Sequence, residues 1–246
     1  MSHKTTLFCF IVPLISLSHK VNAKNFHDYL IAQHWKPVVN LTVGESYARQ
    51  IAHPQALSIG GNDKIYHFTP YRQVGAQLLL GAYAAFEHAI DDRKSLQLGL
   101  SYFQPFSYKI EGDVTSTHFR HVASYRYHIT LQQLLAEGKF IYKLKQYRPY
   151  LAAGVGEGWS GASNFSSKFP TKLSFQSHIK SNLSYSFETG IDLQCHFWVC
   201  PGIGYRLMSF GDYVTQPGKT KLSKGPGKLS SQHLYANAIV VHLLFT

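Results

Sequence analysis

Long apolar runs, acidic residues and cysteines are all scarce in this 246-residue chain. After the first two dozen residues, no stretch reads as an uninterrupted membrane helix. The nearest is residues 74–90, VGAQLLLGAYAAFEHAI. Gln77, Glu87 and His88 interrupt it, and Gly75 and Gly81 weaken a helix. That argues against crossing a bilayer with helices. Acidic residues number 13 against 24 Lys and Arg. Cysteines number three, so one intramolecular disulfide is the most the chain can form. No composition shift marks a linker, which argues for one domain.

What is present begins with residues 1–23. Lys4 precedes a short apolar run over residues 5–17, His19 and Lys20 end it, and Val21-Asn22-Ala23 offers a cut before Lys24. This is the pattern of a cleaved secretory signal. Cys9 lies inside the apolar run, so no lipid anchor is read there. The remaining domain, residues 24–246, keeps 22 basic and 13 acidic residues, a net charge of +9. An exported compartment permits a disulfide between the two remaining cysteines, Cys195 and Cys200. Their opposite parity disfavours a regular cross-strand bridge, and an irregular turn at residues 196–199 would permit one. Both possibilities stay open.

Alternation at period two then dominates. Eight candidate strands cover residues 35–47, 74–88, 95–108, 125–140, 148–159, 182–194, 199–210 and 233–245. The closing strand sets Ile239, Val241, Leu243 and Phe245 on one face, and Ala236, Ala238, Val240, His242 and Leu244 on the other. The third segment alternates most cleanly and the fourth least. Connections alternate too: long over 48–73, 109–124, 160–181 and 211–232, short near 91, 143–147 and 196–198. In hydrocarbon every backbone amide needs a partner, so a spanning sheet must close on itself, apolar outside and polar inside. The pattern predicts an all-β, eight-stranded antiparallel up-and-down transmembrane barrel, with Trp35, Tyr102, Trp159, Trp198, Tyr205 and Phe245 at its interfaces.

Three segments carry a resemblance: WxPVVxLTVG at 35–44, PYLAAGVGEG at 149–158 and HLYANAIVV at 233–241. With the signal, they resemble the small bacterial outer-membrane β-barrels of OmpA-like and porin-like type. One departure is that the terminal aromatic is penultimate, Phe245 before Thr246. The resemblance implies the outer membrane, a monomer, contact with membrane lipids and lipopolysaccharide, and insertion by the barrel-assembly machinery. No cell-wall-binding domain is expected after the barrel. Neither nucleic acid nor a cofactor is expected, and no host or surface ligand is named.

Four inward ionisable residues form the first candidate site: Glu137, Lys139, Glu188 and Arg206. Glu188 and Arg206 share parity on a hairpin, so they can pair. An eight-stranded barrel is filled by its own side chains, which favours a salt-bridged plug over an ion path. The second candidate is a basic surface loop with Lys219, Lys221, Lys224 and Lys228, placed to meet lipopolysaccharide phosphates. Arg120, Arg126, His118 and His121 make a further basic cluster, and no metal site is read from it. The glycines at 154, 156 and 158 are read as inward positions that relieve crowding. An enzyme of the lipid A-deacylating kind would need a Ser two residues after His233, and Tyr235 stands there. No catalytic residues are therefore assigned. The function expected is structural or surface-interacting, with a narrow porin or small-solute channel second and a lipid A-modifying enzyme third.

Overall fold

The computed structural model describes residues 35–49, 55–58, 65–71, 74–116, 123–167, 175–194, 198–212, 216–217 and 234–245. The expected signal at 1–23 lies outside them. So do Cys195, His118, Arg120, His121, His233 and all four lysines of the basic loop.

Thirteen strands are described. In chain order they are β1 (Trp35–Arg49), β2 (Gln55–Ser58), β3 (Ile65–Pro70), β4 (Val74–Ala89), β5 (Lys94–Pro105), β6 (Tyr108–Ser116) and β7 (Ala123–Tyr142). There follow β8 (Tyr147–Ser167), β9 (Phe175–Gln176), β10 (His178–Leu193), β11 (Val199–Gly211), β12 (Gln216–Pro217) and β13 (Leu234–Phe245). Eight of them close a ring of antiparallel neighbours, β1-β4-β5-β7-β8-β10-β11-β13. The ring shuts where β13 pairs with β1, from Val39 against Phe245 to Arg49 against Tyr235. The expected eight-stranded barrel is therefore present.

Its lower rim carries short turns at residues 90–93 and 143–146, the facing ends of β10 and β11, and both Trp35 and Phe245. Trp35 stacks on His88 at 4.9 Å, and Trp198 meets Phe245 at 5.8 Å. Above this rim an apolar belt faces outward. Val39, Leu41, Val43, Leu98, Leu100, Ile239, Val241 and Leu243 all project from it, each close to half exposed. On β8 the belt runs from Tyr147 to Val155, roughly 26 Å of strand and so about 20 Å of height at the usual barrel tilt. Tyr205 was expected at an interface. It lies inside the belt instead, paired with Thr189 and Ile239 six residues above the end of β11.

The barrel does not stop at the belt. Residues 48–73 and 109–124 were expected to be loops, and they contain β2, β3 and β6. β6 resumes the path of β5 along β7 after a break at Phe106 and Ser107, with Tyr108 opposite Ile129. β3 pairs with β6, and β2 with β3. β8 was expected to end near residue 159 and runs on to Ser167. The physical reason is a reversal of polarity. Above the belt the outward face meets water, so Lys109, Glu111, Asp113, Arg126 and His128 point out while Ile110, Val114, Tyr125 and Tyr127 are buried inside. A polar residue at every second position reads as a loop when the outside is assumed to be lipid.

Two bulges complete the inner wall. Asn164 takes a positive φ of 54°, and β8 spends one extra residue against β7 there. That turns Phe165 inward, where it stacks on Tyr125 and Tyr127 at 6.2 and 6.5 Å. A second bulge at Phe210, next to Gly211 at φ 71°, buries the Phe210 ring.

Candidate functional site

The lumen has two zones. Its upper zone is one apolar cluster including Phe68, Leu79, Phe103, Tyr108, Tyr125, Tyr127, Ile129, Leu131 and Phe210. Its lower zone holds the ionisable groups, and all four of the sequence-predicted residues are there, buried.

Arg206 is the centre. It sits on β11, and its register partner on β10 is Glu188. Arg206 Nη1 donates to Glu188 Oε2 at 2.6 Å, and Nη2 donates to Ser186 Oγ at 2.7 Å. The same Nη2 also donates to Glu137, which reaches across the lumen from β7. Ser101 Oγ donates to Glu137 Oε2 at 2.7 Å. The guanidinium lies 3.6 Å above the centre of the Phe103 ring. Gly81 makes room for that ring: a Cβ there would stand 2.4 Å from it. One cation thus holds two carboxylates, with an aromatic lid on the side facing the apolar zone.

Lys139 does not join this group. Its Nζ donates to Asp192 Oδ2 at 2.7 Å and lies 3.6 Å from the Tyr150 ring centre. Nearer the lower rim Arg148 bonds both oxygens of Glu87, at 3.0 and 2.9 Å, and Gln97 Nε2 donates to Glu87 at 2.7 Å. Asp192, Glu87, Arg148, Tyr150 and His242 are thus members that the candidate set lacked. Parity marks all five as inward. Arg148 and Asp192 stand beside turns, where a charge reads as solvent-exposed.

A hydroxyl, an imidazole and a carboxylate fall in line between these pairs. His242 Nδ1 is 2.9 Å from Thr42 Oγ1, and its Nε2 is 2.9 Å from Glu188 Oε1. Tyr150 OH donates to Glu188 Oε1 at 2.5 Å and stands 2.8 Å from His242 Nε2. Gly190 and Gly204 leave the space for that phenol, since a Cβ on either would meet it at 2.4 Å. By composition this is a relay. By position it is enclosed: Thr42, His242 and Glu188 are each at most 6% exposed. The apolar cluster lies above them, and Val38, Cys200 and Leu244 pack below. Buried on all sides, the three side chains form one hydrogen-bonded network that ties β1, β10 and β13 together.

Cys200 is buried in that lower apolar group. Arg126 is exposed on the outer face of β7, opposite Glu111. Among the described residues no group of three or more His, Cys, Asp or Glu side chains could hold a metal ion.

Neither a family model nor a curated protein matches this chain. Solved structures do. The outer membrane protein OprG from Pseudomonas aeruginosa aligns with 86% of this chain and 97% of its own, at 12% identity and a TM-score of 0.50. The outer membrane protease OmpT from Escherichia coli covers 86% and 96% at 7% identity and a TM-score of 0.46. Neisserial surface protein A covers 86% and 97% at 7% identity and a TM-score of 0.42. The likeness to OprG is one of fold, and the fold is that of the small bacterial outer-membrane β-barrels. With the apolar belt turned to lipid, it places the chain in that membrane.

Proposed function

We propose that this chain is a monomeric, non-enzymatic outer-membrane protein whose barrel is a closed anchor and whose raised wall and loops form a structural or surface-interaction face. Residues 1–23 act as its export signal and the barrel-assembly machinery inserts it. Lipopolysaccharide surrounds the upper wall, and Lys219, Lys221, Lys224 and Lys228 meet its phosphates.

One observation carries this reading: within the lumen a salt-bridged clamp lies under an apolar cluster. Arg206 bonds Glu188 on the neighbouring strand β10 and Glu137 on β7, directly beneath the Phe103 ring and the apolar cluster. An ion crossing the barrel would have to break that clamp and then pass an apolar layer. Both steps cost several kcal/mol, on the order given for unpaired buried charge.

Single-protein recordings in planar bilayers test it. The expected trace is flat, and stepwise openings would replace the anchor with a narrow channel. Lipid A from cells expressing the protein is expected to keep its acyl pattern. A changed pattern would make the chain an enzyme.

A further inference from the structure

The apolar belt is not smooth. On the outer surface of β7, β8, β10 and β11 lies a groove of about 600 Å³. Its floor is Gly138 and Ala153, register partners with almost no side chain between them. Its walls are Phe140 and Leu151 on one side and Phe187 and Tyr205 on the other. The volume is in the range of small-molecule pockets, roughly 300–1,000 Å³. The outward-facing side chains that line it are uncharged, and Glu188, the one carboxylate at its edge, is buried and paired with Arg206 in the lumen.

A second feature stands at the end of the same strands. The turn joining β7 to β8 carries Lys143 and Lys145, and the neighbouring turn carries Arg93 and Lys94. The two turns touch, because Lys143 N donates to Arg93 O at 2.6 Å. Asp91 and Asp92 are the acids present, and Asp91 is paired with Lys94 at 3.4 Å. Four cations against two acids leave this corner of the rim positive. Gly138 is five residues from Lys143, roughly 16 Å of strand. The groove therefore opens into the leaflet bounded by the short turns, with the cations at that leaflet's surface.

The geometry points to a site for one anionic phospholipid of the periplasmic leaflet, an acyl chain in the Gly138–Ala153 groove and its phosphate on Lys143 and Lys145. The inference rests on the transmembrane placement of the barrel and not on the plugged lumen. The groove is continuous with a belt that lipid already covers. A second copy fits less well, since two-fold packing would set concave against concave.

The test uses the full chain folded into vesicles of equal phosphatidylglycerol and phosphatidylcholine. The protein is then extracted into mild detergent and weighed intact by native mass spectrometry. Wild type is expected to retain one phosphatidylglycerol, about tenfold over phosphatidylcholine, as two cations near a membrane surface allow. The double variant Lys143→Gln, Lys145→Gln, at one half-buried and one exposed position, is expected to lose that preference and still carry lipid. Gly138→Leu fills the floor, where a Cβ would meet Leu98 Cδ2 at a tolerable 3.4 Å. It is expected to cut retention of both lipids about tenfold. Heat-modifiable gel migration of each sample reports folding separately, so a missing shift faults the barrel and not the lipid site. Lipid retained without preference, none retained, a preference that survives the lysine variant, or a dimer mass abolished by Gly138→Leu would each overturn the proposal.

Discussion

β7 passes through both halves of the barrel, and the two halves obey opposite rules. From Leu134 to Phe140 its outward residues are apolar or small, while Glu137 and Lys139 point in. From Ser124 to Gln132 its outward residues are polar, while Tyr125, Tyr127, Ile129 and Leu131 point in. The odd positions are buried throughout, so the strand has not slipped. What changes is the medium outside. In lipid the cheap place for charge is the lumen, and above lipid the lumen becomes an ordinary core.

The largest break in that contrast comes from Arg206. Arg206→Ala removes the one guanidinium shared by buried Glu137 and Glu188, leaving them only Ser101 and the Tyr150–His242 contacts, and the expected loss is about 3–5 kcal/mol. Urea titration of the protein folded in vesicles reads it, and a loss below 1 kcal/mol would mean the lower lumen is wet enough to solvate both. Next comes the outer face. Leu100→Arg puts a charge in the belt and should cost about 2–4 kcal/mol. Thr130→Arg, outward on the raised wall, should stay within about 0.5 kcal/mol. Equal costs would place the lipid boundary somewhere other than Leu134.

The same contrast explains what could be read from the chain. Within the belt, period-two alternation placed each of the eight ring strands, because only one face tolerates lipid. The Glu188–Arg206 pair was legible for a local reason: hairpin partners of equal parity must meet. The clamp of Glu137 on Arg206 was not, because β7 and β11 are separated by β8 and β10 in the ring. Parity gives the face of a residue and not its height, and cross-lumen contacts need height on both walls. The raised wall was misread as loop because its polarity is reversed. Phe165 escaped for another reason, since a single bulge at Asn164 changes the parity of everything beyond it.

The lid between the zones gives a smaller effect. Phe103 separates Arg206 from the apolar cluster, and its ring occupies the space a side chain at Gly81 would need. Gly81→Ala should therefore displace the ring and cost about 1–3 kcal/mol, the range for overpacking. Ala at Gly138, where the nearest atom is a flexible Leu98 methyl at 3.4 Å, should cost much less. If both variants unfold at the same urea concentration, the lid is looser than the ring stacking implies.

The smallest effects lie at the two rims, and they carry opposite signs. At the lower rim Asp91 accepts hydrogen bonds from the Arg93 and Lys94 amides at 2.8 and 2.7 Å. Those amides, with Lys94 beside them, hold its carboxyl below the ordinary range. A depressed carboxylate contributes stability above its unfolded pKa, near about 4, and loses it as pH falls through the folded value. At the upper rim Tyr71 OH donates to Asp113 at 2.5 Å, and that bond pushes the phenol up from its ordinary value. A raised phenol contributes below its unfolded pKa, near about 10, and loses it as pH rises through the folded value. Asp91→Asn should therefore differ from wild type at neutral pH and converge with it in acid. Tyr71→Phe should differ at neutral pH and converge only in strong alkali. Both groups are solvent-facing, so each difference is small. A Tyr71→Phe curve that converged in acid would instead mean that the Asp113 carboxylate, not the phenol, sets the pH dependence of the raised wall.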